Sequence, residues 1–78
     1  PQFNIVPNPV LNMATIYLNK SCMGAEFSIY DVLGNKISSI ENISQPAISL
    51  NAVDYSKGIY FIVINNGAHT VKRKIFFK

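Results

Sequence analysis

The chain has 78 residues, with seven Lys and Arg against four Asp and Glu and a formal charge of +3. That length gives one domain at most, burying only about 60% of its unfolded surface and leaving no room for a deep catalytic cleft beside the core. Apolar residues make up 49% and charged residues 14%, which excludes a disordered chain, and the longest apolar run, Ile59 to Ile64, is too short to span a bilayer as a helix.

Pro1-Gln2-Phe3 has neither the basic nor the apolar segment of a signal peptide, and Pro1 is not a natural start. The chain is therefore expected to be a single-domain fragment, the tail of something longer, and its compartment is not read from this N-terminus.

The period along the chain is two. A first strand, roughly 3–6, stops at "PNP" (Pro7-Asn8-Pro9), where fixed φ and the constraint on the preceding residue exclude helix. In a second strand, roughly 13–19, Ala14, Ile16 and Leu18 alternate with Thr15, Tyr17 and Asn19. In a third, roughly 25–31, Ala25, Phe27 and Ile29 alternate with Glu26, Ser28 and Tyr30. The turn "DVLGN" follows, with Asp31 at its start and Gly34 where φ is expected to be positive. Strands at roughly 36–41 and 46–50 come next, the latter with Ile48 and Leu50 flanking Ser49. "SKG" leads into a strand at roughly 59–65 that is apolar on both faces, as a central strand is, with Tyr60, Ile62 and Ile64 assigned inward. Asn66-Gly67 signals a hairpin to the last strand, roughly 69–77. About seven short strands at this spacing predict an all-β, immunoglobulin-like sandwich of two antiparallel sheets.

Little in the chain points to catalysis. His69 is the single histidine and lies beside the Asn66-Gly67 turn, while Asp31 and Asp54 sit where turn or capping residues belong. One His and one Cys do not make a zinc-ligand set. No cofactor is expected. Cys22 has no partner and is expected to act as a small hydrophobe. "NKS" and "NIS" match the glycosylation acceptor pattern, as such short patterns do by chance.

The charge is concentrated at the end. Residues 1–71 carry −1, while Lys72, Arg73, Lys74 and Lys78 give residues 72–78 a charge of +4. Three readings fit "VKRKIFFK". Lysines defend an edge strand against stacking. Basic clusters attract nucleic-acid phosphates, with Phe76 and Phe77 available to stack, although the rest of the domain is slightly acidic and no RNA-binding pattern accompanies them. An extended terminal strand also suits a partner that reads its backbone and alternate side chains. Alternation puts Val71, Arg73, Ile75 and Phe77 on one side and Lys72, Lys74, Phe76 and Lys78 on the other. With Val71, Ile75 and Phe77 facing the core, Arg73 must snorkel to its edge.

Four separated pieces line up: "VPNPV", "FSIYDVLGNKI", "YSKGIYFIVI" and the closing "VKRKIFFK". In this order they resemble the type A C-terminal sorting domain of the type IX secretion system. Pro7, Asn8 and Pro9 match its opening motif, Tyr30, Asp31 and Gly34 its hairpin, Gly58 and Tyr60 its Gly-x-Tyr strand, and Lys72, Lys74 and Lys78 its basic tail. Val6 stands where an aromatic is common, and Tyr55 where Leu is usual. The resemblance implies a secretion signal rather than an enzyme, recognised by the shuttle proteins and outer-membrane translocon of that system. It implies removal, in many members, by a sortase-like cysteine protease, with the cargo attached to anionic lipopolysaccharide or released. The destination is then the cell surface or extracellular space of a Gram-negative bacterium, reached through the periplasm. Lys72, Arg73, Lys74 and Lys78 are the expected recognition residues, with Phe76 and Phe77 as candidate apolar contacts; no nucleic-acid partner is expected. An uncovered edge strand also leaves self-association open. The competing function is a structural or carbohydrate-binding β-sandwich module using Tyr17 and Tyr30.

Overall fold

The computed structural model describes residues 1–78. Seven strands form in chain order: β1 (Phe3–Val6), β2 (Met13–Leu18), β3 (Glu26–Asp31), β4 (Lys36–Ile40), β5 (Ala47–Asn51), β6 (Gly58–Asn65) and β7 (Thr70–Phe77). They make a three-stranded sheet in the order β1-β2-β5 and a four-stranded sheet in the order β4-β3-β6-β7, all paired antiparallel. This is the expected immunoglobulin-like sandwich. Every boundary lies within one residue of its expected place.

The core is what period-two alternation requires, because successive side chains leave opposite faces of a strand. Ala14, Ile16 and Leu18 of β2 and Leu50 of β5 face Phe27 and Ile29 of β3, Tyr60, Ile62 and Ile64 of β6, and Ile75 and Phe77 of β7 across the interior. Ser28 departs from the pattern: it is on the outward side of β3 yet buried, because β3 is central and Ser28 lies between Ser39 of β4 and Val63 of β6.

The connections follow local chemistry. Two short 3₁₀ turns, Lys20–Cys22 and Ala52–Asp54, have no counterpart in the expected elements. Each is capped by an asparagine, with Asn19 Oδ1 accepting from the Ser21 amide at 3.1 Å and Asn51 Oδ1 from the Val53 amide at 3.2 Å. Cys22 is buried, its Sγ 3.2 Å from the Gln2 carbonyl oxygen. The β6–β7 loop is Asn66–His69, longer than the two-residue turn Asn-Gly favours. Asn66 Oδ1 ties it by accepting from the Ala68 amide at 3.0 Å and the His69 amide at 2.7 Å. Gly67 has φ 91°, which only glycine adopts freely.

Candidate functional site

The separated sequence motifs converge on the last strand. β7 pairs along its whole length with β6, from Asn65 opposite Thr70 to Gly58 opposite Phe77. Gly58 and Tyr60 therefore stand opposite Phe77 and Ile75. Gly58 has φ 138°, and no atom would crowd a Cβ there, so backbone conformation alone requires glycine. The Tyr60 hydroxyl donates to the Ser56 carbonyl at 2.9 Å, so the ring is buried with its polar end satisfied.

The opening motif reaches the other edge of β7. Asn8 Nδ2 donates to the Lys74 carbonyl at 3.0 Å, and its Oδ1 accepts the Phe76 amide at 3.0 Å. The Val10 amide donates to the Phe76 carbonyl at 2.7 Å, and the Lys78 amide donates to the Val10 carbonyl at 2.9 Å. Val10 pairs with Phe77 as a single parallel bridge. Pro7 and Pro9 have no N–H to offer a ladder, and the Asn8 side-chain amide stands in for a peptide group.

The hairpin motif lies on the outer face of the same sheet. Asp31 Oδ1 accepts from the amides of Leu33 and Asn35, both at 2.9 Å, and Asn35 Nδ2 donates to Oδ2 at 3.1 Å. These bonds favour the ionised carboxylate and hold its pKa below the ordinary 3.8, the Asn35 amide contributing most. Gly34, at φ 88°, closes the turn. Tyr30, Asp31 and Gly34 line a shallow hollow of about 400 Å3 with Phe61, Val63 and Lys72. Lys72 Nζ lies 4.9 Å from the centre of the Phe61 ring, a cation–π contact. Toward the β4 edge of the same face, Lys36 Nζ lies 3.5 Å from Glu26 Oε2, and that carboxylate raises the lysine pKa.

β7 presents two unlike sides. Thr70, Lys72, Lys74, Phe76 and Lys78 point outward and are exposed, with Phe76 beside Ile59. Val71, Ile75 and Phe77 point inward, and Arg73 on the same side bends out to the rim, its guanidinium carbon 5.5 Å from the centre of the Phe3 ring. The expected snorkelling of Arg73 is thus what the fold shows.

Phe77 is not a surface contact. It is 1% exposed, stacked on Tyr55 at 4.6 Å between ring centroids and edge-on to Tyr60 at 5.3 Å. Its even-numbered neighbour Phe76 keeps the exposed apolar position, because strand alternation forces one of two adjacent phenylalanines inward. Burial raises the Tyr55 pKa, since the ring packs against this cluster. Tyr17 and Tyr30 lie on different sheets, β2 and β3, each on the face pointing away from the core, so they cannot form one sugar-stacking platform. No three His, Cys, Asp or Glu side chains are grouped as metal ligands would be.

The family model for a secretion system C-terminal sorting domain matches residues 4–78. The chain belongs to this family. No curated protein matches its sequence. The sorting domain is the C-terminal signal of type IX secretion, a secretion tag that engages the type IX machinery and directs export to the cell surface or extracellular space. Sequence reasoning reached the motifs of this sorting domain but missed that Asn8 bonds the tail directly. The signal available was the pair of prolines, which leaves Asn8 as the motif's one residue with both a donor and an acceptor to spare.

Proposed function

We propose that the outward side of β7 is the surface the secretion machinery reads, through Lys72, Lys74 and Lys78 with Phe76 as an apolar contact and Arg73 at the rim. The observation that supports this reading is the charge distribution: residues 1–71 carry −1, residues 72–78 carry +4, and every lysine of the tail points away from the core. The fold needs Val71, Ile75 and Phe77 for packing, whereas it needs none of these lysines.

In this reading residues 1–78 are carried at the C-terminus of a larger exported protein. The recognising partners are the shuttle proteins and outer-membrane translocon of a Gram-negative bacterium, met after the cargo enters the periplasm. A sortase-like cysteine protease then removes the domain, and the cargo is attached to lipopolysaccharide or released.

The test is a reporter fused to residues 1–78 in a host with this secretion system, with Lys72, Lys74 and Lys78 all changed to Gln. Deleting residues 72–78 would be a poorer test, because it removes the buried Ile75 and Phe77 along with the charge. The expected result is a folded fusion that accumulates in the periplasm. Export of the folded variant at the parent level would overturn the proposal.

A further inference from the structure

The outer edge of β7 is closed over only half its length. Along a strand, the N–H and C=O of successive residues point alternately to the two edges. Residue 76 points away from β6, since its amide and carbonyl are bonded to Asn8 and Val10, and residue 78 donates outward to Val10. By alternation residues 70, 72 and 74 also point outward, while 71, 73, 75 and 77 bond to β6. Of these outward groups the Lys74 carbonyl is taken by Asn8, and the Lys72 carbonyl accepts a 3.2 Å bond from Arg73 Nη1. The amides of Thr70, Lys72 and Lys74 have no intramolecular acceptor among the hydrogen bonds of the fold. The clasp of Asn8 and Val10 therefore ends at Lys74, and Thr70–Lys74 is an open stretch of edge.

That stretch is cationic on both faces. Lys72 and Lys74 stand on the outer face. On the inner side Arg73 borders a hollow of about 380 Å3 beside Gln2, Phe3, Asn4 and Asn19. A strand laid against this edge would send alternate side chains to opposite faces, so both sets would meet positive charge.

We infer that Thr70–Lys74 accepts an extended acidic segment of a partner protein by β-strand addition, with acidic residues at consecutive rather than alternate positions. The backbone amides of Lys72 and Lys74 donate to the incoming strand, and its carboxylates reach Lys72 and Lys74 on one face and Arg73 on the other. A second copy of this chain does not fit, because pairing two such edges sets lysine against lysine on the same face. The inference deepens the proposal that the tail is the recognised surface and rests on it for biological meaning, although the binding itself is measurable without secretion.

The test uses the full 15N-labelled chain and the capped peptide acetyl-Thr-Glu-Glu-Val-Glu-Glu-Thr-amide. The expected result is a shift of the Thr70, Lys72 and Lys74 amide resonances, slowed hydrogen exchange at Lys72 and Lys74, and little change at Phe76, whose amide is already bonded. Changing Lys72, Arg73 and Lys74 to Gln should weaken binding about tenfold through loss of exposed ion pairs, while Lys36→Gln, on the opposite β4 edge of the sheet, leaves it unchanged. Lys72→Pro should bind more weakly than Lys72→Gln, since it removes an outward N–H and spares the ladder to β6. No shift, shifts centred on another edge, or shifts without slowed exchange would each overturn strand addition. If export fails in the Lys→Gln fusion while the peptide leaves these amides untouched, only strand addition is lost. If that fusion is exported normally, the recognition role of the tail is lost whatever the peptide does.

Discussion

The two lateral sides of the sandwich are closed by different means. On one side the β7 edge is clasped by Asn8 and Val10 near its C-terminal end, and Arg73 lies over Phe3 across the gap between the sheets. On the other side β4 is exposed along its whole length, and an apolar slot of about 230 Å3 lies between Ile40 and Ile43 on one wall and Ala47 and Ile48 on the other. Only Ile43 plugs that side deeply, its amide and carbonyl bonded to Ala25 and Gly24 at 2.8 Å each. The β7 side thus combines buried aromatic packing, substitute backbone bonds and charge, while the β4 side depends on a short strand and one plug. An edge strand invites pairing unless something blunts it. Here the shorter, nearly neutral edge is left bare, and the longer edge is half covered and half charged.

The largest expected break in this contrast comes from Phe77→Ala. It empties the centre of the Tyr55–Tyr60–Phe77 cluster and should cost about 3–5 kcal/mol, enough to unfold much of a domain this small. Ile40→Ala on the bare side should cost under about 1 kcal/mol, since Ile40 is 41% exposed. Urea denaturation of the two variants checks both, and equal losses would erase the distinction between the sides.

Asn8→Ala comes next. It removes two hydrogen bonds that join residues far apart in sequence, with an expected loss of about 1–2 kcal/mol. Faster exchange of the Phe76 amide would show that the clasp, rather than general stability, had changed. It should also lengthen the open stretch of edge, so peptide-induced shifts would spread from Lys74 to Phe76.

A smaller effect belongs to Asp31. Its pKa is lowered in the folded state, so its contribution is fully present above the unfolded value near 3.8 and fades as pH falls through the lower folded value. Amide shifts of Leu33 and Asn35 should titrate below pH 3.8 and be lost in Asp31→Asn, where the turn keeps an acceptor but no charge. The smallest effect is expected from Lys36→Gln on the bare side. Its partner Glu26 is exposed, and the melting temperature should not change measurably in physiological salt.

Much of this architecture was legible in the sequence because alternation is a local property. Ala14, Ile16, Leu18, Phe27 and Ile29 identify their own buried faces without reference to any partner, whereas β6, apolar on both faces, shows no such pattern. The same rule sent Arg73 to the rim and Lys72, Lys74 and Phe76 outward. The 3₁₀ turns were not legible, since three residues are too few to show a period and asparagine caps look like any loop asparagine.

The sequence by itself determined the strands, their faces and the concentration of charge on the last of them, because each follows from neighbours a few residues apart. Only the tertiary structure decided that Asn8 closes half of the β7 edge and that Phe77 is locked between Tyr55 and Tyr60. Those contacts join segments more than sixty residues apart or from different elements of the fold, as the 66- and 68-residue separations of the Asn8 bonds show. Local pattern constrains which way a side chain points; the path of the chain between the two sheets decides what it meets there.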